Sequence, residues 1–145
     1  IGSTTSLGGL DAMTAAFDAS GRLVWSGQFG SPLDDEVTGV VVDGSTVYVS
    51  GTTDGEIVGA ERISLTPTDE PDPGEGPTTA PSTTAPPTTA PPTGGGRDSF
   101  LAAIDAASGE VRWVAQFGTA GEEQTTAMTR TESGLLVVSG STTMI

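Results

Sequence analysis

At 145 residues the chain has the length of one ordinary domain, yet 21 glycines, 10 prolines and an aromatic share of 5% leave little bulky apolar material, so a thin core is expected. Its formal charge is −14, from 19 carboxylates against five arginines and no lysine; this opposes binding to nucleic acid or anionic membrane, because phosphate attraction needs clustered cations. Cysteine and histidine are absent, which removes thiol chemistry, disulfides, most zinc sites and any nucleophile-histidine pair, and the missing lysine removes Schiff-base chemistry.

The first segment with strand periodicity holds Met13, Ala15 and Phe17, alternating with Ala12, Thr14 and Ala16. Asp18-Ala19-Ser20-Gly21 then reads as a turn, with an Asp to bond its own backbone and a Gly for positive φ. A second strand is predicted from Arg22 to Phe29, a third from Val37 to Asp43, and a fourth from Val47 to Gly51 after the Asp43-Gly44 turn. From Thr66 to Gly96 the composition changes to Thr, Pro and Gly, with nine of the 10 prolines, and the segment can neither feed a sheet ladder nor bury a face. It is expected to be a disordered linker, either a bare spacer or, from its Ser/Thr/Pro content, an O-glycosylated stalk. Strands are predicted again over Phe100 to Ile104, Glu110 to Phe117, Thr125 to Thr131 and Leu135 to Gly140. Glycine and threonine recur too often for a helical alternative. No apolar run approaches the roughly 18 residues of a membrane-crossing helix.

These segments are one pattern written twice. Both tryptophans head the same phrase, Trp25 to Gly30 (WSGQFG) and Trp113 to Gly118 (WVAQFG), and Asp11, Phe17 and Val49-Ser50-Gly51 match Asp98, Ile104 and Val138-Ser139-Gly140. The offset grows only in two turns, so the strands are expected to share a register. The chain therefore divides into a first repeat, 1–65, a linker, 66–96, and a second repeat, 97–145.

A repeat of about 45 residues with four strands is the sign of a β-propeller blade. The phrases GG-x-DA, D-x-SG-x-x-x-W, FG-x-x-x-DDE and VYVSGTT resemble the bacterial secreted β-propeller repeat family, the SBBP repeats, over both copies but not the linker. The second copy departs from the pattern at Glu122-Glu123, Ala127, Thr131 and Val137. The resemblance implies an all-β fold of four-stranded antiparallel blades interrupted by the Pro/Thr-rich insertion. It also implies that VVVD and VYVSG are inner strands and that the linker sits inside one blade. IGSTTS at Ile1 and SGSTTM at Ser139 are one phrase, so a longer array is expected, with any secretion signal outside these residues.

The repeat core is expected to contain Phe17, Trp25, Phe29, Tyr48, Phe100, Ile104, Trp113 and Phe117, the tryptophans packing between blades rather than stacking on sugars. Arg22 and Arg112 are placed over the indoles or toward solvent, and Asp11 and Asp98 are read as strand-entry residues bonding backbone amides. Asp34, Asp35, Glu36, Glu122 and Glu123 are candidate calcium ligands by their hard oxygens, without the spacing of a calcium loop. No cofactor is otherwise expected. The partners implied are further blades or other copies of the chain, carbohydrate or a surface protein. The expected function is a non-catalytic extracellular scaffold, adhesion or binding module; the alternatives are a subunit of a secreted fibre or surface layer, and a polysaccharide-acting enzyme using loop carboxylates.

Overall fold

The computed structural model describes residues 9–65 and 96–143, and every regular element among them is a strand. In chain order these are Ala12–Phe17 (β1), Leu23–Phe29 (β2), Asp35–Asp43 (β3), Thr46–Thr53 (β4), Glu61–Ser64 (β5), Asp98–Asp105 (β6), Val111–Gly118 (β7), Glu123–Arg130 (β8) and Leu136–Thr142 (β9). They form a two-stranded sheet β1-β2, a five-stranded sheet β3-β4-β6-β7-β5 and a two-stranded sheet β8-β9. None of the three closes on itself.

The turns form as their residues dictate. Asp18 Oδ1 accepts hydrogen bonds from the amides of Ser20 (2.9 Å) and Arg22 (3.0 Å), and Gly21 takes φ +82°. Asp105 Oδ1 does the same for Ala107 and Ser108, with Gly109 at φ +76°. The two halves of the chain meet in the central sheet, where β4 runs antiparallel to β6 from Thr46 opposite Asp105 to Thr53 opposite Asp98. Residues 66–96 lead from β5 to β6, which flank β7 on its two sides; apart from Gly96, they lie outside the described residues.

Matching strands pair in matching ways. Ala16 faces Trp25 and Ala103 faces Trp113, each just before a register shift. Val40 faces Val49 and Met128 faces Val138, and a bulge falls at Val37/Gly39 in one hairpin and at Thr125/Ala127 in the other. The second copy's extra residues fall in its turns. β5 runs parallel to β7, pairing Ile63 with Phe117, and its four residues are too short to show a period.

The central sheet carries packing on both faces. Phe100, Ile104 and Val49 are fully buried with Ala12 and Ile57, and Phe29 meets Phe100 edge to face at 5.6 Å between centroids. On the opposite face β8 crosses β3 and β4, and Thr125 Oγ1 donates to Ser99 Oγ at 2.7 Å. Of the expected core residues, Phe100 and Ile104 are fully buried, and Trp25, Phe29, Tyr48 and Phe117 are half-buried.

Phe17 and Trp113 correct the expectation, being 63% and 45% exposed. The side of β1 that packs is Ala12, Thr14 and Ala16, so Met13, Ala15 and Phe17 face outward with no sheet over them. Trp113 lies on the β8 side of the central sheet, past the cover that two strands provide, and leans on Tyr48 at 6.2 Å.

Gly51 marks a tight crossing. A Cβ there would strike the Glu36 carbonyl and lie 2.6 Å from Phe100 Cζ. Gly51→Ala is expected to cost about 3 kcal/mol by overpacking, against about 1 kcal/mol for Gly44→Ala, where φ is +55° but space is open. Urea unfolding of the two variants checks the difference; equal midpoints would refute it.

Candidate functional site

Strand alternation separates the consecutive acidic residues. Asp35 turns inward and is 3% exposed, while Asp34 and Glu36 face solvent. Asp35 Oδ2 accepts from the amide of Ser31 at 2.7 Å and from its hydroxyl at 3.3 Å; Asp34 Oδ1 accepts from the Leu10 amide at 2.8 Å. The second copy repeats the device. Glu123 is inward, its Oε1 accepting from Thr119 (2.5 Å) and Thr142 (2.7 Å), and Glu122 is exposed. Among the described residues no three metal-ligating side chains converge, so the five candidate calcium ligands are not brought together. What Asp34, Asp35 and Glu123 do is hold loops.

The glycine of each QFG phrase makes room for the inward acid. A Cβ at Gly118 would stand 2.5 Å from both Asp98 Oδ1 and Glu123 Oε2, and one at Gly30 would strike the Asp35 carboxylate. The glutamine has its own task. Gln116, buried, donates through Nε2 to Asp98 Oδ2 (2.7 Å) and to the Gly55 carbonyl (3.0 Å), and its Oε1 accepts from the Ile57 amide (3.0 Å). Gln28 donates to Asp11 Oδ2 in the first copy. Asp11 and Asp98 thus bind a glutamine amide rather than the backbone amides expected of them, since each stands two residues before the glutamine's cross-strand partner (Met13 for Gln28, Phe100 for Gln116), a diagonal that the long side chain spans. Sequence reasoning passed over Gln28 and Gln116; their repetition in phase with the aspartates was the signal.

Several carboxyl oxygens of this region are buried without a hydrogen-bond partner: Asp11 Oδ1, Asp35 Oδ1 and Glu123 Oε2. Burial pushes the Asp98 carboxyl above its ordinary value and nearby Glu123 adds to the rise, while the Gln116 amide and Arg62 pull it down. Arg62 reaches Asp98 Oδ2 at 3.5 Å and Glu56 Oε1 at 3.4 Å. Arg97 is held on Asp54 at 2.7 Å, a contact that raises its guanidinium further.

Two cavities flank the central sheet. A polar cleft of about 550 Å³ is lined by Asp54, Arg97, Glu122, Glu123, Ser141 and Thr143. Glycoside cleavage needs two free carboxyl groups facing each other across a sugar. Here Asp54 is held by Arg97, and Glu123 is buried with one oxygen taken by two threonine hydroxyls. The cleft offers hydroxyls, carboxylates and an amide to a polar ligand. The second cavity, about 330 Å³, is apolar and lies between β1 and the β3-β4 hairpin, against Met13, Ala16, Trp25, Val40, Val42 and Val47.

Trp25 is committed to packing: its indole N–H donates to the Ala106 carbonyl at 2.9 Å, and its ring lies against Gly109, where a Cβ would approach to 2.7 Å. Arg22 and Arg112 are each held by the aspartate of their own turn, Asp18 at 3.2 Å and Asp105 at 2.5 Å. No known protein-family model and no curated protein matches the chain.

The carboxyl groups give stability opposite pH slopes. Arg112 first, then the amides of Ser108 and Ala107, hold Asp105 down at about 2, so its contribution is full above 3.8 and is lost as pH falls toward 2. Asp98 is raised above 3.8, so the stability it confers at low pH is lost as pH rises through its folded value. Thermal melts from about pH 2 to about pH 6 are expected to show a shallower acid limb in Asp105→Asn and a shallower decline above 3.8 in Asp98→Asn. Slopes matching those of the parent chain would refute both assignments.

Proposed function

We propose that the chain is a non-catalytic extracellular scaffold of the β-propeller type, related to the secreted β-propeller repeats it resembles, that presents its loop-lined clefts to carbohydrate or a surface protein. The observation that carries this reading is the duplicated geometry: both copies share strand pairs, bulges and an aspartate–glutamine bond, and one copy's Trp25 docks on the other's β6-β7 turn. Repeats built this way bury faces only against neighbours, which suits an array whose loops vary while its sheets do not. Within the five-stranded sheet the run β3-β4-β6-β7 fits a four-stranded blade with the linker inside it, and β5 adds a parallel fifth strand beside β7. Carboxylates and hydroxyls of the polar cleft suit hydrogen bonding to sugar hydroxyls, and their present bonds suit positioning more than proton transfer. No cofactor enters this reading.

A second reading, a subunit of a secreted fibre or surface layer, is favoured by the half-sheets and the exposed Met13, Phe17, Val40 and Val42. A glycan panel scored for both binding and product release separates scaffold from enzyme. Retention without turnover is expected. Turnover that disappears in Asp34→Asn or Asp35→Asn would replace the scaffold with a polysaccharide-acting enzyme.

A further inference from the structure

Among the described residues the two outlying sheets are complementary halves of the central one. In the central sheet an inner hairpin, β3-β4, pairs through β4 with an outer hairpin, β6-β7. On one side of it stands an outer hairpin, β1-β2, whose pairing matches β6-β7, and on the other an inner hairpin, β8-β9, whose pairing matches β3-β4; neither has a further strand beside it among the described residues. We infer that β8-β9 of one copy pairs with β1-β2 of a second copy, β9 against β1, forming a four-stranded sheet like the β3-β4-β6-β7 part of the central one. The inference deepens the scaffold reading and rests on its repeat geometry.

Three independent features point to that occupant. The first is shape. β6 contacts β8 of the next sheet as β1 contacts β3, yet beside β6 stands β4, whereas beside β1 lies the apolar cavity of about 330 Å³. The exposed Val40 and Val42 on its floor are the surface an inner hairpin would cover. The second is register. Val47 faces Ile104 and Ser50 faces Leu101 between β4 and β6, so the matching residues place Leu136 opposite Phe17 and Ser139 opposite Thr14 of the second copy. That pairing also puts Val137, 46% exposed, over the valine floor.

The third feature is the tryptophan. Trp25 donates to the Ala106 carbonyl and rests on Gly109, both in the β6-β7 turn. The matching residues of the β1-β2 turn are Ala19 and Gly21, and Gly21 has open space around its would-be Cβ. Trp113, the matching indole, is exposed on the side where the second copy's β1-β2 would lie. Head-to-tail pairing puts Trp113 on Gly21 of the second copy, its N–H toward the Ala19 carbonyl. Both exposed aromatics, Phe17 and Trp113, are covered by one contact. A heterologous contact of this kind propagates to a closed ring or an open fibre.

With −14 charges per copy the contact is opposed by long-range repulsion, so association rises with salt as the Debye length shrinks. The test uses the full 145-residue chain in sedimentation, together with single-cysteine variants Thr14→Cys and Ser139→Cys mixed under mild oxidation. Sedimenting mass is expected to rise with protein and salt concentration, with tryptophan emission moving to shorter wavelength. Trp113→Ala is expected to lose both effects while keeping the parent far-ultraviolet spectrum. The mixed Thr14–Ser139 disulfide should exceed either homodimer by roughly tenfold, since only opposed Cβ atoms approach closely enough to bridge. Thr14→Cys mixed with Ser133→Cys, in a turn, should show only collisional background. A mass that levels off marks a ring and one that keeps growing marks a fibre; either supports the contact. A mass fixed at 14.5 kDa with no preferred mixed disulfide overturns it. In that case, slow amide exchange at Val49 and Ala102 would leave the repeat scaffold standing, whereas fast exchange there would sink the scaffold reading too.

Discussion

The antiparallel ladder between β4 and β6 is the interaction on which the rest depends. It ties together strands separated by the long segment between Thr53 and Asp98, and closing a loop of that length costs about 3 kcal/mol of chain entropy. Burial of Val49, Phe100 and Ile104 along this ladder, each worth about 1.5 to 3 kcal/mol, offsets the cost. Without that pairing the described residues would be four separate hairpins. With it, one sheet carries a face for β1-β2 and another for β8.

The small size of the core explains how the remaining polar groups are used. With few aromatics, the sheets are joined by single, well-aimed contacts, Phe29 edge-on to Phe100 and Trp25 on Gly109, and within the central sheet Gln116 ties Asp98 to the Gly55–Ile57 loop. Glycine is placed where those contacts need backbone at close range, at Gly51 under Phe100 and at Gly118 between two carboxylates. The buried carboxyl oxygens without partners are costly in such a place, and the raised Asp98 shows how burial works against its charge. An acidic surface, a thin core and open sheet edges together suit a unit that gains stability from lateral neighbours.

Much of this was legible in the residues, for a physical reason in each case. Alternation along β1, β3, β4 and β6 made strands visible, and Asp18 with Gly21 and Asp105 with Gly109 made the hairpin turns visible, because both signals are local. The repeated Trp-x-x-Gln-Phe-Gly phrase made the common register visible. What stayed hidden were contacts set by distant chain: β5 beside β7, Arg62 on Asp98, and Gln116 on the Ile57 amide. The acidic runs misled in the opposite way. Adjacent in sequence, Asp34, Asp35 and Glu36 look like one cluster, but Asp35 points inward while Asp34 and Glu36 face solvent, so Asp34 and Asp35 staple different loop residues, Leu10 and Ser31, and Glu36 stays on the surface.

The amino-acid sequence alone determined that the chain is a twice-written set of four short strands with a Thr/Pro/Gly-rich segment between the copies, since period, turn chemistry and proline content act within a few residues. Only the tertiary structure decided which strands become neighbours and which aromatic rings are covered. Phe17 and Ile104 occupy the same place in their repeats, yet Ile104 is buried and Phe17 is bare, because burial depends on whether another sheet lies across the face. The pattern of a strand specifies the side that can pack; the presence of a neighbour specifies whether it does.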